Sequence, residues 1–432
     1  LKVRASYGMM GDDNLGGLYP DFAYLSGYTY YKGQSLMPDD PFSSVKSKKV
    51  IGSAPKGIPV TTISWMKIKL MNVGIDFGFF DNRLTGEFDL FKRMRDGIPG
   101  TPSDIMFPLE TGLSALPENM NSDMTVGFDA FVKWNDKVGD LKYSVGANIT
   151  FARQKNGKRH GEIFGNAWDK YRWAQSNRWS NVVLNTDQGN AGGVWMWEVI
   201  GRFETQEQID SYPVDQDGQN NATVRPGDVI LRDVNGDGII NDFDERPQAY
   251  ASADWPWDSS TSNKNPLISM GINLGFEWKG VDVAADFAGG FKNTFVADWD
   301  LKWGVTRSVN GYYYNNIDVW RHEDIFDPKS PWIPGKFPAL RGQESHSGRW
   351  WNSFYTREVN YLRLRNLVVG YSLPKNWIRK VGMEQCRIYF QGTNLFCLSS
   401  LHDYGFDPEI STVNGQDYPQ HKVLTLGVNV KF

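Results

Sequence analysis

Residues 422–432 read KVLTLGVNVKF, and Leu424, Leu426, Val428, Val430 and Phe432 alternate strictly with Thr425, Gly427, Asn429 and Lys431. A period of two sends successive side chains to opposite sides of an extended backbone, so this stretch predicts a β-strand with one apolar and one polar face. The same alternation recurs upstream, with apolar sets over residues 1–7, 73–79, 84–90, 126–132, 143–151, 270–278, 281–287, 367–371 and 388–390. That is about ten strands of the length a tilted membrane strand needs. Leu362 and Leu364 fall on the parity opposite to Leu367, Val369 and Tyr371, which predicts a bulge or a membrane exit near Arg365.

Which side is wet is the next question, and composition narrows it. A net charge of −4 over 432 residues lacks the polybasic character that nucleic-acid binding needs. No apolar run is long enough for a transmembrane helix, but a transmembrane barrel gives only a weak signal per strand. The 17 Trp, 19 Tyr and 25 Phe suit interfacial aromatics. Cys386 and Cys397 make neither a disulfide framework nor a zinc site, although a single bridge stays open. The chain begins inside a strand pattern without a start Met, so the expectation is a segment of a longer protein.

The connections decide the side. They run long, short, long, short throughout: 11–62, 80–83, 96–123, 135–140, 154–266, 279–280, 293–359, 373–384 and 397–421. Every long one therefore falls at one end of the strands. Outer-membrane barrels have short periplasmic turns and long extracellular loops. The predicted fold is all-β, a transmembrane antiparallel β-barrel. Its extracellular loops are 11–62, 96–123, 154–266, 293–359 and 397–421. The apolar face meets lipid, while Asp76, Glu87, Asp129, Asp282, Asp286 and Lys431 line a wet lumen. A soluble double-sheet protein is the competing architecture.

The long loops carry the remaining chemistry. Asp233, Asn235 and Asp237 stand at positions 1, 3 and 5 of an EF-hand-like loop, with Gly238 at 6, the Ile239 carbonyl at 7 and Asp244 at 12. Oxygen donors at that spacing suit Ca²⁺ in a structural role. The short Asp at position 12 predicts weak binding, with Kd of roughly 10⁻⁴–10⁻³ M, or tolerance of Mg²⁺. A metal-free turn is the alternative. Thr205 and Gln208 form a capping-box pattern that predicts a short helix over 206–212.

Aromatics crowd the same loops. Trp173, Trp179, Trp195, Trp197, Tyr313 and Trp350 are the candidates for stacking on sugar rings or peptide side chains; an aromatic girdle or loop packing is the structural alternative. Catalytic signatures are missing. The five histidines are scattered, there is no HExxH, Walker loop or nucleophile elbow, and Glu323-Asp324 reads as a solvated pair. The expectation is a protein that is not an enzyme.

Several stretches taken together and in order resemble SusC/RagA-like TonB-dependent transporters of Bacteroidota outer membranes. They are SYGMMGDDN (6–14), GIDFGFFDNRLTGEFDLF (74–91), PGDVILRDVNGDGIINDFDERP (226–247), YLRLRNLVVGYSLPKNW (361–377), IYFQGTNLF (388–396) and the terminal strand. The resemblance implies that residues 1–432 are the C-terminal part of a plugged barrel of about 22 strands, with the N-terminal plug and first strands absent. It further implies import of glycans or oligopeptides, a SusD-like surface lipoprotein as lid, and a TonB complex acting through the absent N-terminal part. A calcium-stabilised surface adhesin and a passive porin are the rival functions.

Overall fold

In a computed structural model the chain forms one ten-stranded antiparallel sheet. The structure describes residues 1–13, 24–32, 51–55, 58–62, 64–102, 115–156, 194–249, 266–296, 318–339, 352–402, 405–410 and 420–432, with positions 108, 167, 168, 170, 171 and 418 besides. The strands are β1 (Lys2–Asp12), β2 (Met66–Phe79), β3 (Leu84–Gly100), β4 (Glu118–Val138) and β5 (Leu141–Asn156). They continue as β6 (Ile268–Trp278), β7 (Val281–Val296), β8 (Thr356–Ser372), β9 (Gln385–Ser399) and β10 (Val423–Lys431). Each pairs with the next in sequence, so the sheet is a simple meander from β1 to β10.

Several strands outrun the sequence prediction. The continuation of β3 to Gly100 and the start of β4 at Glu118 narrow the 96–123 connection to residues 101–117. The 135–140 turn tightens to Gly139-Asp140. In both cases ladder hydrogen bonds carry the strands past the residues where the apolar alternation fades.

Register is what makes the sheet coherent. One row of directly paired residues runs Phe79, Leu84, Trp134, Val145, Leu274, Ala285, Leu367, Gly392 and Leu424 across nine strands. The adjacent row is Gly78, Thr85, Lys133, Gly146, Asn273, Asp286, Asn366 and Thr393. Apolar meets apolar and polar meets polar, because a one-residue slip anywhere would exchange the two faces. The predicted irregularity at Arg365 is a β-bulge: Leu364 pairs with Phe287 and Asn366 with Asp286, leaving Arg365 extra. The extra residue returns Leu362 and Leu364 to the face that holds Leu367 and Val369.

Most of the apolar face is bare, with Ala285, Leu364 and Cys386 as buried exceptions. Val73, Leu90, Val145, Ile149, Leu274, Val369, Ile388, Leu426 and Val428 are all exposed, Leu426 at 77%. A soluble sandwich would bury this face against a second sheet; among the described residues no such layer exists. No described helix is long and apolar enough to cross a membrane. The most completely buried side chains instead belong to the loops and the long-loop ends of strands: Met196, Phe203, Ile209, Leu231, Ile240, Phe295, Val359 and Leu401.

This inside-out burial predicts a parity effect. Val145→Arg or Ile272→Arg, both on the apolar face, should cost roughly 2–4 kcal/mol of stability in lipid vesicles. Gly146→Arg points the other way, into a position where an added Cβ meets nothing closer than 3.8 Å, and should cost far less. Equal losses in urea-unfolding measurements on all three variants would remove the lipid assignment.

Candidate functional site

Charge is concentrated on the polar face of the sheet, where it is paired across strands. Arg4 donates to Asp76 and to Asp89, both at 2.8 Å. Arg95 grips the buried Asp123 on the same face, while Lys69 and Asp96, 2.6 Å apart, form a pair on the opposite face at the long-loop end of the strands. Arg387 Nε donates to Asp282 at 2.9 Å, while Asn273 donates to Asp286 at 2.8 Å. Cross-strand pairs of this kind fix the wall, and they leave a polar, hydrogen-bonding surface opposite the apolar one.

Above the long-loop end, the two longest loops are joined to each other. Short antiparallel pairs give each loop a frame: Val194–Met196 with Arg246–Ala249, Val199–Arg202 with Val229–Leu231, and Arg321–His322 with Trp332–Ile333. Between the loops, Ser353 N–H donates to the Trp197 carbonyl and Val199 N–H to Ser353 Oγ, both at 2.9 Å. Arg202 Nη1 donates to the Gly335 carbonyl at 2.9 Å, and its guanidinium lies 4.6 Å from the Phe354 ring centre. Gly227, at φ +92°, lets the Trp320 indole lie directly on its backbone; a Cβ there would come within 2.4 Å of the ring. An apolar cluster of Phe295, Val319, Phe337, Tyr355, Val359 and Leu401 then ties the second loop to β7, β8 and the segment after β9.

That last segment is held by charge. Arg363, almost fully buried, lies 2.6 Å from Asp407 and 2.9 Å from Glu409, and Arg365 reaches Glu409 at 2.6 Å. The bulge at Arg365 therefore has a use, since it aims a second guanidinium at the same carboxylate.

The predicted helix is α1 (Gln206–Asp210), and its N-terminus is the capping box read from Thr205 and Gln208. It buries Ile209 against Phe203 and Val224. Beyond it lies the predicted metal loop. Asp233 gathers the N–H groups of Gly236 at 2.6 Å and Gly238 at 2.8 Å, and both glycines adopt the positive φ that a sharp turn requires. Asp237 accepts from Ile239 N–H at 2.9 Å, and with Asn235 beside it that bond holds its carboxyl below the ordinary value. Asp244 is fully buried and accepts from Val234 N–H at 2.9 Å and Asn241 N–H at 2.8 Å. The backbone of the motif has the turn its spacing predicts. Its carboxylates, however, are each engaged by the loop's own N–H groups, and among the described residues no three acidic, His or Cys side chains are gathered as a cage.

A companion loop escaped the sequence reading. Asp215 bridges in parallel to Ile239: its N–H donates to the Gly238 carbonyl and its carbonyl accepts from Ile240, both at 2.9 Å. Two residues on, burial pushes the Asp217 carboxyl up. Thr223 N–H and Oγ1, both at 2.7 Å, with Gln219 and Asn221 N–H, both at 2.8 Å, overcome this and hold it far below the usual carboxylate range. The signal was the run Asp215-Gln-Asp217-Gly, an Asp-x-Asp-Gly close to the Asn-x-Asp-Gly at 235–238 but without the full spacing of that loop.

Of the six candidate aromatics, Trp173, Trp179, Tyr313 and Trp350 lie outside the described residues, as does the side chain of Trp195, whose backbone pairs with Pro247. Trp197 is half-buried and donates its indole N–H to the Asn241 carbonyl at 2.8 Å, so it is tied to the acidic loop. Sequence reading did not anticipate the packing of Trp168, which stacks on Tyr171 at 5.3 Å and meets Phe243 edge-on at 5.3 Å. Cys386 and Cys397 are both free thiols.

No family model matches the chain. It is, however, similar along its whole length to TonB-dependent receptor P39 of Formosa agariphila, 22% identical over 485 residues. TonB-dependent receptor SusC of Bacteroides thetaiotaomicron is 22% identical over 444 residues, again covering the entire chain. The chain spans 40% and 37% of these two relatives, or about two fifths of their length. Its fold is shared with the RagAB peptide importer in the open-open state, at a TM-score of 0.63 and 18% identity, and in the closed-closed state, at 0.61 and 20%. Both matches cover all of this chain and 40% of that one. The resemblance to SusC/RagA-like TonB-dependent transporters thus holds over every strand described above, and the named relatives are receptors and importers rather than enzymes.

The Asp217 site predicts a pH dependence. Its folded-state pKa lies below the unfolded value of about 3.9, so its stabilisation is complete above that value. It is lost as pH falls from there through the folded pKa. Protection of amides 215–224 relative to their intrinsic exchange should therefore fall below about pH 4, and Asp217→Asn should lower that protection at neutral pH and flatten the acid response.

Proposed function

We propose that this chain is the C-terminal part of an outer-membrane barrel that imports glycans or oligopeptides under TonB control. The observation that carries the proposal is the bare apolar face, continuous in register across the sheet, on strands whose long connections all lie at one end. Lipid is the solvent in which such a face is stable, because every backbone group inside the sheet is already hydrogen-bonded. β1 and β10 each pair on one side only among the described residues. On this reading the remaining strands of a barrel of about 22 complete them.

The polar face then surrounds the transport path, and a plug outside this chain closes it until the TonB complex pulls. The solved structures that share this fold are of the RagAB peptide importer, and SusC is the named relative; both support a SusD-like lipoprotein as lid. The joined loop body of 194–249, 318–339 and 352–355 is the surface offered to that lid. Trp173, Trp179, Trp195, Trp197, Tyr313 and Trp350 are the proposed substrate contacts. Ca²⁺, or Mg²⁺, is proposed as a structural ion of the 233–244 loop, held by Asp233, Asn235, Asp237, the Ile239 carbonyl and Asp244. What supports it is ligand spacing, together with second lone pairs left on the carboxylate oxygens of Asp233 and Asp244, each of which accepts a single backbone N–H.

Two experiments test the proposal. Cells lacking the gene should lose uptake of labelled oligopeptides or oligosaccharides too large for porins, and so should cells with the gene but without functional TonB. Uptake that survives loss of TonB would make this a passive porin, and recovery of the protein without membrane would favour an adhesin. Millimolar calcium should protect the 194–249 region from protease in the parent, and Asp233→Ala with Asp237→Ala should abolish that protection. A parent indifferent to calcium would dispose of the metal.

A further inference from the structure

The connection between β8 and β9 is a small basic knob at the short-turn rim. Residues 374–384 read PKNWIRKVGME. Helix α2 (Lys375–Ile378) runs into a single tighter turn over Arg379–Val381, and Gly382 at φ +77° ends it. Met383 N–H returns to the Ile378 carbonyl at 3.1 Å, which closes the unit. Among the described side chains of α2, Ile378 is the buried one. Trp377 is 65% exposed, and Lys375, Arg379 and Lys380 are exposed beside it. Among the described residues none of these three cations has an ion-pair partner. The one acid of the connection, Glu384, is taken by Lys431 at 3.0 Å.

The position of the knob matters as much as its charge. Leu373 N–H donates to the Cys386 carbonyl at 2.9 Å, which anchors the knob at the foot of β9. Cys386 belongs to the apolar row of Ile388 and Phe390, yet it is 7% exposed where Ile388 is 41% exposed. Something covers the row at its foot, and α2 is the described helix that contacts β9. Other exposed aromatics mark the same rim: Phe79, Phe80, Phe432 and Trp278, whose ring centre lies 5.2 Å from the Lys279 ammonium. Free cations beside an exposed indole, at the level where an apolar band ends, match the headgroup layer of a bilayer.

We propose that the 374–382 knob is a binding site for an anionic glycerophospholipid of the periplasm-facing leaflet. Trp377 lies in the interfacial layer, and Lys375, Arg379 and Lys380 neutralise the headgroup phosphate. The inference rests on the barrel reading, which places the short turns on the periplasmic side. A soluble acidic peptide would satisfy the cations but would give no reason for an unburied tryptophan next to the lipid-facing row. Three cations near an anionic surface, each contributing on the order of 1 kcal/mol, correspond to a preference of roughly a hundredfold over a zwitterionic lipid.

The test uses the intact protein purified in detergent and offered phosphatidylglycerol or phosphatidylcholine, with retained lipid read by native mass spectrometry. The parent should retain phosphatidylglycerol selectively. Lys375→Gln/Arg379→Gln/Lys380→Gln should lose at least tenfold of that selectivity with an unchanged melting temperature, whereas Lys375→Arg/Lys380→Arg should keep it. Undiminished selectivity in the glutamine variant would overturn the proposal, and so would release of the lipid by inorganic phosphate at equal concentration. Failure of the barrel reading would look different: no lipid of either class would be retained.

Discussion

The structure depends on a register constraint. Ten strands share one ladder, and within it the side-chain period of two must keep the same parity from β1 to β10. The row from Phe79 to Leu424 meets this condition across β2 to β10, and its polar neighbour from Gly78 to Thr393 meets it across β2 to β9. Where β8 would break parity, a single extra residue at Arg365 restores it. Satisfied backbone groups and a uniform apolar face are what a sheet needs if hydrocarbon is its solvent.

That constraint moves the hydrophobic core. A face given over to lipid cannot also pack against protein, so the buried residues gather where the chain leaves the sheet. Phe295, Val319, Phe337, Tyr355, Val359 and Leu401 draw in the ends of β7 and β8 and the segment after β9. Phe203, Ile209 and Val224 do the same for the turn around α1. Polar groups complete the loop body, with Arg202, Ser353 and the contact of Gly227 with Trp320 joining the two longest loops. The loop body is therefore packed and hydrogen-bonded, although its sequence looks like connecting chain.

Both rims of the sheet are specialised, in opposite ways. At the long-loop end, carboxylates such as Asp217, Asp233 and Asp244 fold turns around themselves by collecting backbone N–H groups. At the short-turn end, connections are brief, and the longest of them adds an exposed tryptophan and three cations with no ion-pair partner among the described residues. An acidic, self-bonded outer face and a basic, aromatic inner rim give the molecule two distinct surroundings along one strand direction.

The strands, their parity, the bulge at Arg365, the capping box at Thr205 and the turn around Gly238 were legible in the sequence. Each depends on residues close along the chain, through a period of two, a fixed cap spacing or a positive φ. Strand length was less legible, because β3 and β4 run on through Arg95 and Asp123, whose pairing appears only when the strands are side by side. The meeting of Asp215 with Ile239, of Trp197 with Asn241 and of Arg363 with Asp407 joins residues 24, 44 and 44 positions apart, and nothing in local spacing announces them. Sequence alone determined that one face of every strand is apolar. Only the tertiary structure decided that much of this face stays uncovered, because whether a face is packed depends on which other elements reach it, and among the described residues no second sheet does.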